Sequence, residues 1–471
     1  LFEKSIVKSL KKGNNDFKKK TKDLQKMKIR RMAAVTAAKF TGYICKKMGR
    51  QGVTWAGKIA LKLCPDILEQ LSGQVREKIF VVCGTNGKTT TNNMLCAALE
   101  KEGKKVICNH TGSNMLNGVV AAFVLGAKWN GKLDADYACI EVDEASTKYI
   151  FPAIHPDYMV MTNLFRDQLD RYGEIDITMN ILEEMMRKVP EMKVIVNGDD
   201  ALSAYLAMDS GNPYVTYGIS KPVVQSAANE IREGRFCKKC GERLQYSFYH
   251  YSQLGDYKCP KCGFQRPALQ YDAYDVKVGE QLSFRVEDKL LSANYKGFYN
   301  VYNILAAYAA IRTAGFSGNS FYEMLKSFNP ENGRMEQFRI EGTGVMLNLA
   351  KNPAGFNQNI SAVMQDKSPK DIMIVINDNA QDGRDISWLW DVDFDLLKEE
   401  SIRSITVSGI RCQDMRLRLK YVDIPSELEP DVESAVKSCV KKGTGNLYVL
   451  VNYTALFSTR NILKKLEGEK K

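Results

Sequence analysis

Residues 78–103 constrain the fold most. KIFVVCG, 78–84, is a short apolar run that ends in glycine. KTTTNNMLCAALEKEG follows, with Met94, Leu95, Ala98 and Leu99 on one helical face and Gly103 as the stop. KKVICN then supplies another strand pattern. Strand, glycine turn, helix, strand is the unit of a parallel sheet. A glycine-rich turn that opens a helix offers unpaired backbone N–H groups to phosphate oxygens, with the helix dipole behind them. Gly84, Thr85, Asn86, Gly87, Lys88, Thr89 and Thr90 are therefore the candidate ATP-binding loop. Lys88 adds a point charge for the β- and γ-phosphates, and the Thr89 hydroxyl a ligand for Mg²⁺. The spacing is unusual. The common loop, Gly, four residues, Gly-Lys-Ser/Thr, would need glycine at position 82, which is valine; the glycine comes at 84 instead.

YACIEV (137–142), DYMVMTN (157–163), KVIVNGDD (193–200) and YVTYG (214–218) predict further strands, with helical stretches between some of them. The middle of the chain thus reads as a doubly wound α/β domain. Residues 222–275 interrupt the rhythm, which resumes at the helix pattern GFYNVYNILAAYAAIRTAGF. Turn residues cluster in NPENGRMEQF, 329–338, and mark a boundary. VMLNLA, DIMIVIND, SITVSG and NLYVLVNY follow as strands alternating with helices. At 471 residues the chain exceeds one core. The expected division is a basic N-terminal extension (1–50), an ATP-binding central domain (51–335) with an insertion at 222–275, and a smaller Rossmann-like α/β domain (336–471).

Charge is unevenly placed. Residues 1–50 hold sixteen Lys and Arg against three Asp and Glu, a local +13, so the whole of the net +12 lies there and the body, at −1, is near neutral. Binding a phosphate backbone needs a basic face, so the body argues against a nucleic-acid partner. The basic start and the weakly amphipathic AAVTAAKFTGYICKKM, 33–48, instead suit an anionic membrane surface. No apolar run approaches a membrane span, and the start lacks the apolar core of a secretion signal. The expected location is the cytoplasm, with peripheral contact at the inner face of the plasma membrane.

Of twelve cysteines, four form FCKKCGERL…DYKCPKCGF: Cys237, Cys240, Cys259 and Cys262. Eighteen residues separate the pairs, within the zinc-ribbon range. Two such turns complete a tetrahedral S₄ site with no open position, so the Zn²⁺ is structural. Tyr246, Phe248 and Tyr249 between them pack a small hairpin rather than stack bases. The other cysteines are scattered, as in a reducing compartment. Only three histidines are present, His110, His155 and His250, and each reads as structural. No Cys–His pair fit to hydrolyse glutamine is apparent. INDNAQDGRDISWLWDVDF, 376–394, concentrates Asp378, Asp382, Asp385, Asp391 and Asp393 beside Trp388 and Trp390 after a strand. Strand ends in open α/β domains are where ligands and partners bind.

GTNGKTT resembles the loop of the Mur ligase family, ATP-dependent amide ligases that build peptidoglycan stem peptides, together with folylpolyglutamate synthase. IEVDEAS places Glu141 where the family has a Mg²⁺-binding glutamate. TNLFRDQLDRYGE and VNGDD resemble two further family segments. GFYNVYNILAA puts Asn300 and Asn303 at positions associated with ATP, and GRME puts Arg334 where the family's arginine reaches phosphate. The resemblance implies a P-loop central domain of Mur ligase type, with Lys88 and Glu141 among its catalytic residues and ATP and Mg²⁺ bound. Departures are equally specific. Gln168 replaces a metal-contacting histidine, no lysine stands at the carbamoylated position near Glu183 and Glu184, and Asn348 and Lys351 replace an aspartate and a histidine.

The Cys₄ insertion, LAKNPAGFNQ and DNAQDGRDISWLWD together resemble the MurT branch of that family. That likeness implies amidation of the α-carboxylate of D-glutamate in the lipid II stem peptide, giving D-isoglutamine. Ammonia would come from a separate GatD-like glutaminase, in a heterodimer. Asp385, at the GRD position, would complete the partner's Cys–His pair. Two alternatives stay open: a Mur or folylpolyglutamate-type ligase that adds an amino acid, and a zinc-ribbon nucleic-acid-binding ATPase.

Overall fold

The computed structural model describes residues 25–45, 47, 53–166, 175–223, 233–279, 281–294, 296–328, 334–379, 382, 384–443 and 445–468. Six parallel strands build most of the main sheet: β1 (Lys78–Cys83), β2 (Val106–Cys108), β3 (Tyr137–Glu141), β4 (Tyr158–Met161), β5 (Lys193–Asn197) and β6 (Tyr214–Ile219). A separate antiparallel hairpin follows, β7 (Gln245–Tyr251) and β8 (Leu254–Lys258). The chain then returns to the main sheet with β9 (Tyr271–Val278), β10 (Leu282–Val286) and β11 (Lys289–Ala293). The nine strands lie in the order β11-β10-β9-β6-β5-β4-β1-β3-β2. β9 is parallel to β6, and β9, β10 and β11 form an antiparallel edge. This edge was not expected from the sequence, and β9 begins inside the interrupting stretch 222–275.

β1 lies between β3 and β4, so the chain leaves it at a point where strand order reverses. Such switch points open a crevice at the carboxyl ends of the strands. Three strand ends meet there: Val82 pairs with Glu141 on β3, and Cys83 with Met161 on β4.

Helices cover both faces. On one, the helix Tyr299–Thr313 is buried at every position from Asn300 to Ile311 and packs with Met94, Leu95 and Leu99. On the other, Val119, Val120 and Phe123 of the helix Leu116–Gly126 meet Ala56 and Ala60 of the helix Val53–Leu63. A helix over 25–45 joins this layer through Ala34, Val35 and Ala38. Part of the expected N-terminal extension is thus built into the core. The lysine-rich residues before 25 lie outside the described residues.

The second sheet contains β12 (Glu336–Ile340), β13 (Thr343–Leu349), β14 (Lys370–Val375), β15 (Ile402–Ser408), β16 (Glu427–Leu428) and β17 (Asn446–Val451). Their order is β12-β13-β17-β14-β15-β16, antiparallel only between β12 and β13. Two apolar clusters cover its faces, one around Phe356 and Phe394, the other around Val436 and Leu456. No helix among the described residues is long and apolar enough to cross a membrane.

Candidate active site

The loop after β1 depends on two glycines. Gly84 has φ +124, and a Cβ there would meet the Thr162 hydroxyl oxygen at 2.2 Å. Gly87 has φ +84, and a Cβ there would meet Asn303 Oδ1 at 2.0 Å. Both conformations belong to glycine, and both contacts hold the loop against its neighbours. Asn163 Oδ1 accepts from the Asn86 N–H at 2.9 Å, and the Asn163 carbonyl from the Thr85 N–H at 2.8 Å. The helix Lys88–Lys101 then begins with no side-chain cap, so its first amides remain for a ligand.

Lys88 is buried. Its ammonium donates to the Gly84 carbonyl at 2.5 Å and to Glu144 Oε1 at 2.9 Å. Glu144 Oε1 also accepts from the Gly84 N–H at 2.7 Å. Burial alone would pull the Lys88 ammonium down, but Glu144, Asp143 and Glu141 together push it above its usual value. The lysine is therefore charged and held against the loop. The sequence reading missed Glu144, because nothing local distinguishes the third carboxylate of IEVDEAS from its neighbours.

The Thr89 hydroxyl donates to Glu141 Oε2 at 2.5 Å, and Asn114 donates to Glu141 Oε1 at 2.8 Å. Arg334 Nη2 donates to Thr89 Oγ1 at 3.0 Å. Its Nε is buried with no hydrogen-bond partner, and burial lowers the guanidinium's pKa. A cation with an unmatched donor at the helix N-terminus suits a phosphate oxygen. The Thr89 hydroxyl and the Glu141 carboxylate form a hard-oxygen pair suited to Mg²⁺.

Asn303 Nδ2 donates to Asn300 Oδ1 at 3.0 Å, aligning the two amides. Asn86, Gly87, Thr90, Asn300, Asn303 and Arg334 all line one cleft, open to solvent. Asn348, Leu349, Gln358 and Asn359 close it from the C-terminal side. Asn86 and Asn352 bridge the two sides by reciprocal amide bonds of 3.3 and 3.0 Å. Asn352 is also the N-cap of the helix Pro353–Met364, accepting from the Gly355 N–H at 2.8 Å. Its partner Asn86 lies 266 residues away in sequence.

Other candidates lie elsewhere. Asp385 does not line the cleft. Ser387 donates to it through its N–H at 2.8 Å and its hydroxyl at 2.9 Å, and these bonds hold its carboxyl below the usual range. Glu183 and Glu184 form ion pairs with Arg187 and Lys188 on the helix Ile175–Lys188. Gln168 lies outside the described residues. In the hairpin, Cys237 and Cys262 sulfurs are 3.5 Å apart, as are those of Cys240 and Cys259, and all four lie within 4.8 Å of one another. Sulfurs on a tetrahedral zinc stand roughly 3.8 Å apart, so the four fit the ion.

Residues 82–311 match the Mur ligase middle domain family, and residues 349–456 the MurT ligase C-terminal family. The chain is 36% identical over 430 residues to the lipid II isoglutaminyl synthase (glutamine-hydrolyzing) subunit MurT of Staphylococcus aureus strain COL, covering 91% of this chain and 96% of that one. It is 32% identical over 442 residues to the subunit of the same name from Streptococcus pneumoniae, covering 93% and 98%. Among solved structures, a pseudomurein peptide ligase type C from Methanothermus fervidus superposes with a TM-score of 0.66, at 22% identity over 83% of this chain and 79% of that one. That likeness supports the fold.

Proposed function

Because the chain belongs to the MurT branch of the Mur ligases, we propose that it is the ligase subunit of a lipid II isoglutaminyl synthase. It uses ATP to convert the α-carboxylate of D-glutamate in the lipid II stem peptide to an amide. The observation that carries this reading is the single cleft that gathers Asn86, Gly87, Thr90, Asn300, Asn303 and Arg334 between the two sheets.

The loop amides and Arg334 bind the triphosphate and orient its γ-phosphate for in-line transfer. Lys88, pinned beneath the loop, contributes positive charge to that position. Mg²⁺ on Thr89 and Glu141 would offset charge on the phosphates. The substrate carboxylate attacks the γ-phosphorus, and ADP leaves with the electron pair of the broken P–O bond. Ammonia then attacks the acyl phosphate, releasing phosphate and a proton. The C-terminal unit, 336–471, closes over the nucleotide and keeps water from the acyl phosphate.

Nitrogen comes from a partner glutaminase of GatD type. Asp385, ionised and outside the cleft, is free to face a histidine of that partner. The Cys₄ hairpin holds a structural Zn²⁺. Membrane contact is supported by the helix 25–45, whose Ile29, Met32, Phe40, Tyr43 and Ile44 share one outward face flanked by Lys26, Lys28 and Arg30. Exposed Trp55 and Trp129 add aromatic anchors, each with a lysine ammonium over its ring.

The test is mass analysis of lipid II incubated with this chain, the glutaminase, Mg-ATP and glutamine. The expected product differs by acid to amide with no residue added. A product heavier by an amino acid, or unchanged lipid II, refutes the proposal.

A further inference from the structure

Three side chains that the reaction above leaves unused converge behind the nucleotide loop. Cys96 lies on the helix Lys88–Lys101, Cys108 ends β2, and His110 follows two residues later. Both sulfurs and a ring nitrogen of the histidine all lie within 4.8 Å of one another. Cys96 is fully buried, Cys108 half-buried and His110 exposed, so the group is reached from one side.

Its surroundings point to a ligand. The buried Asn92 amide donates to Cys108 Sγ at 3.2 Å and to Asn109 Oδ1 at 3.3 Å. The Asn92 oxygen is buried and has no hydrogen-bond partner. A donor on a thiol sulfur stabilises it as a thiolate, the arrangement found around metal-bound cysteines. An orphan acceptor beside it awaits a donor.

We propose that Cys96, Cys108 and His110 form a second metal site, taking a thiophilic divalent cation of the zinc class. Two sulfurs and one imidazole are too soft a set for Mg²⁺ and suit Zn²⁺. Binding releases the two thiol protons and leaves a fourth position for water, which can donate to the Asn92 oxygen. Cys96 stands about two helical turns beyond Lys88, roughly 12 Å, so the ion does not touch the nucleotide.

It acts as a brace. Asn109, between two of the ligands, accepts from the Glu141 N–H and donates to the Glu141 carbonyl, both at 2.8 Å. A cation joining Cys96 to Cys108 and His110 fixes the P-loop helix to the segment that positions Glu141.

Zinc bound per full-length chain, counted by mass spectrometry after desalting from a weak chelator, tests this. Wild type is compared with His110→Ala and Cys108→Ser, and Cys262→Ser removes the ribbon's ion separately. His110 is exposed, so its replacement leaves packing intact. His110→Ala and Cys108→Ser should each bind one equivalent fewer than wild type, and Cys262→Ser should retain that equivalent. With Co²⁺ as the probe, the sulfur-to-cobalt charge-transfer band should lose intensity in Cys108→Ser. If His110→Ala and Cys108→Ser bind as much zinc as wild type, the site does not exist.

Discussion

Replacing Lys88 separates its two roles. In the folded chain the Lys88 and Glu144 side chains are only 6% and 7% exposed and their charges lie 2.9 Å apart. Breaking a buried pair by removing one partner costs about 3–5 kcal/mol, because the other charge is left uncompensated. Lys88→Met leaves Glu144 buried without its ammonium partner, the Gly84 N–H still donating to it. Burial already pushes the Glu144 carboxyl up, so in this variant it takes a proton. Glu144→Gln removes the cost of that proton uptake and keeps an oxygen for the Gly84 amide. The double variant should therefore regain most of the loss, with a coupling energy of about 2–3 kcal/mol in the double-mutant cycle. Turnover behaves differently. Lys88 supplies charge to the phosphates that neither variant restores, so amidation should fall at least about 10²-fold in both. Urea midpoints read the first effect, and product formed from lipid II, ammonium and Mg-ATP reads the second. A double variant that amidates at the wild-type rate removes Lys88 from the chemistry. A Lys88→Met chain as stable as wild type removes the buried pair from the stability argument.

Three further outcomes are expected. Gly87→Ala forces a Cβ into a left-handed conformation and onto Asn303 Oδ1, so the backbone term alone, about 1–2 kcal/mol, should weaken Mg-ATP binding about tenfold by calorimetry; unchanged affinity refutes the close approach. Asp385→Asn should leave ATP binding and ammonium-driven amidation intact while glutamine-driven amidation in the complex drops about 10²-fold; equal loss with both nitrogen sources places Asp385 in the ligase reaction instead. Burial holds the His250 imidazole at about 4, against 6.5 in the unfolded chain. Stability is therefore complete above the unfolded value and lost as pH falls from 6.5 towards 4, by about 2 kcal/mol at pH 5. His250→Phe should flatten that slope between pH 7 and 5 in urea titrations, and a wild-type slope in the variant assigns the acid sensitivity elsewhere.

The strand–turn–helix start was legible because three local signals coincide in 78–108: an apolar run, a glycine turn and a helical face. The gathering of Cys237, Cys240, Cys259 and Cys262 was legible from spacing alone. Asn300, Asn303 and Arg334 were reachable only through family resemblance, and the fold brings them to one cleft. What escaped was long-range. The helix Tyr299–Thr313 is buried all round, so its sequence carries no polar face to reveal which side meets the P-loop helix. Asn352 meets Asn86 directly, although 266 residues separate them in sequence. The approach of Cys96 to Cys108 and His110 depends on the helix Lys88–Lys101 packing beside β2, a long-range event with no local sign. In β10, Leu282, Phe284 and Val286 point inward and alternate with polar neighbours, a pattern that was readable and was passed over.

The route from β6 to β9 has a metabolic implication. Neighbouring parallel strands need a covered crossover, usually a helix. Here the Cys₄ hairpin takes that place, and Tyr251 at the end of β7 forms part of the ATP cleft wall. Gln253, just beyond, ties down the Leu164 carbonyl and Asp200. With the ion held as proposed above, a shortage of trace metal would loosen the wall where fuel is spent, and wall-building output would follow micronutrient supply.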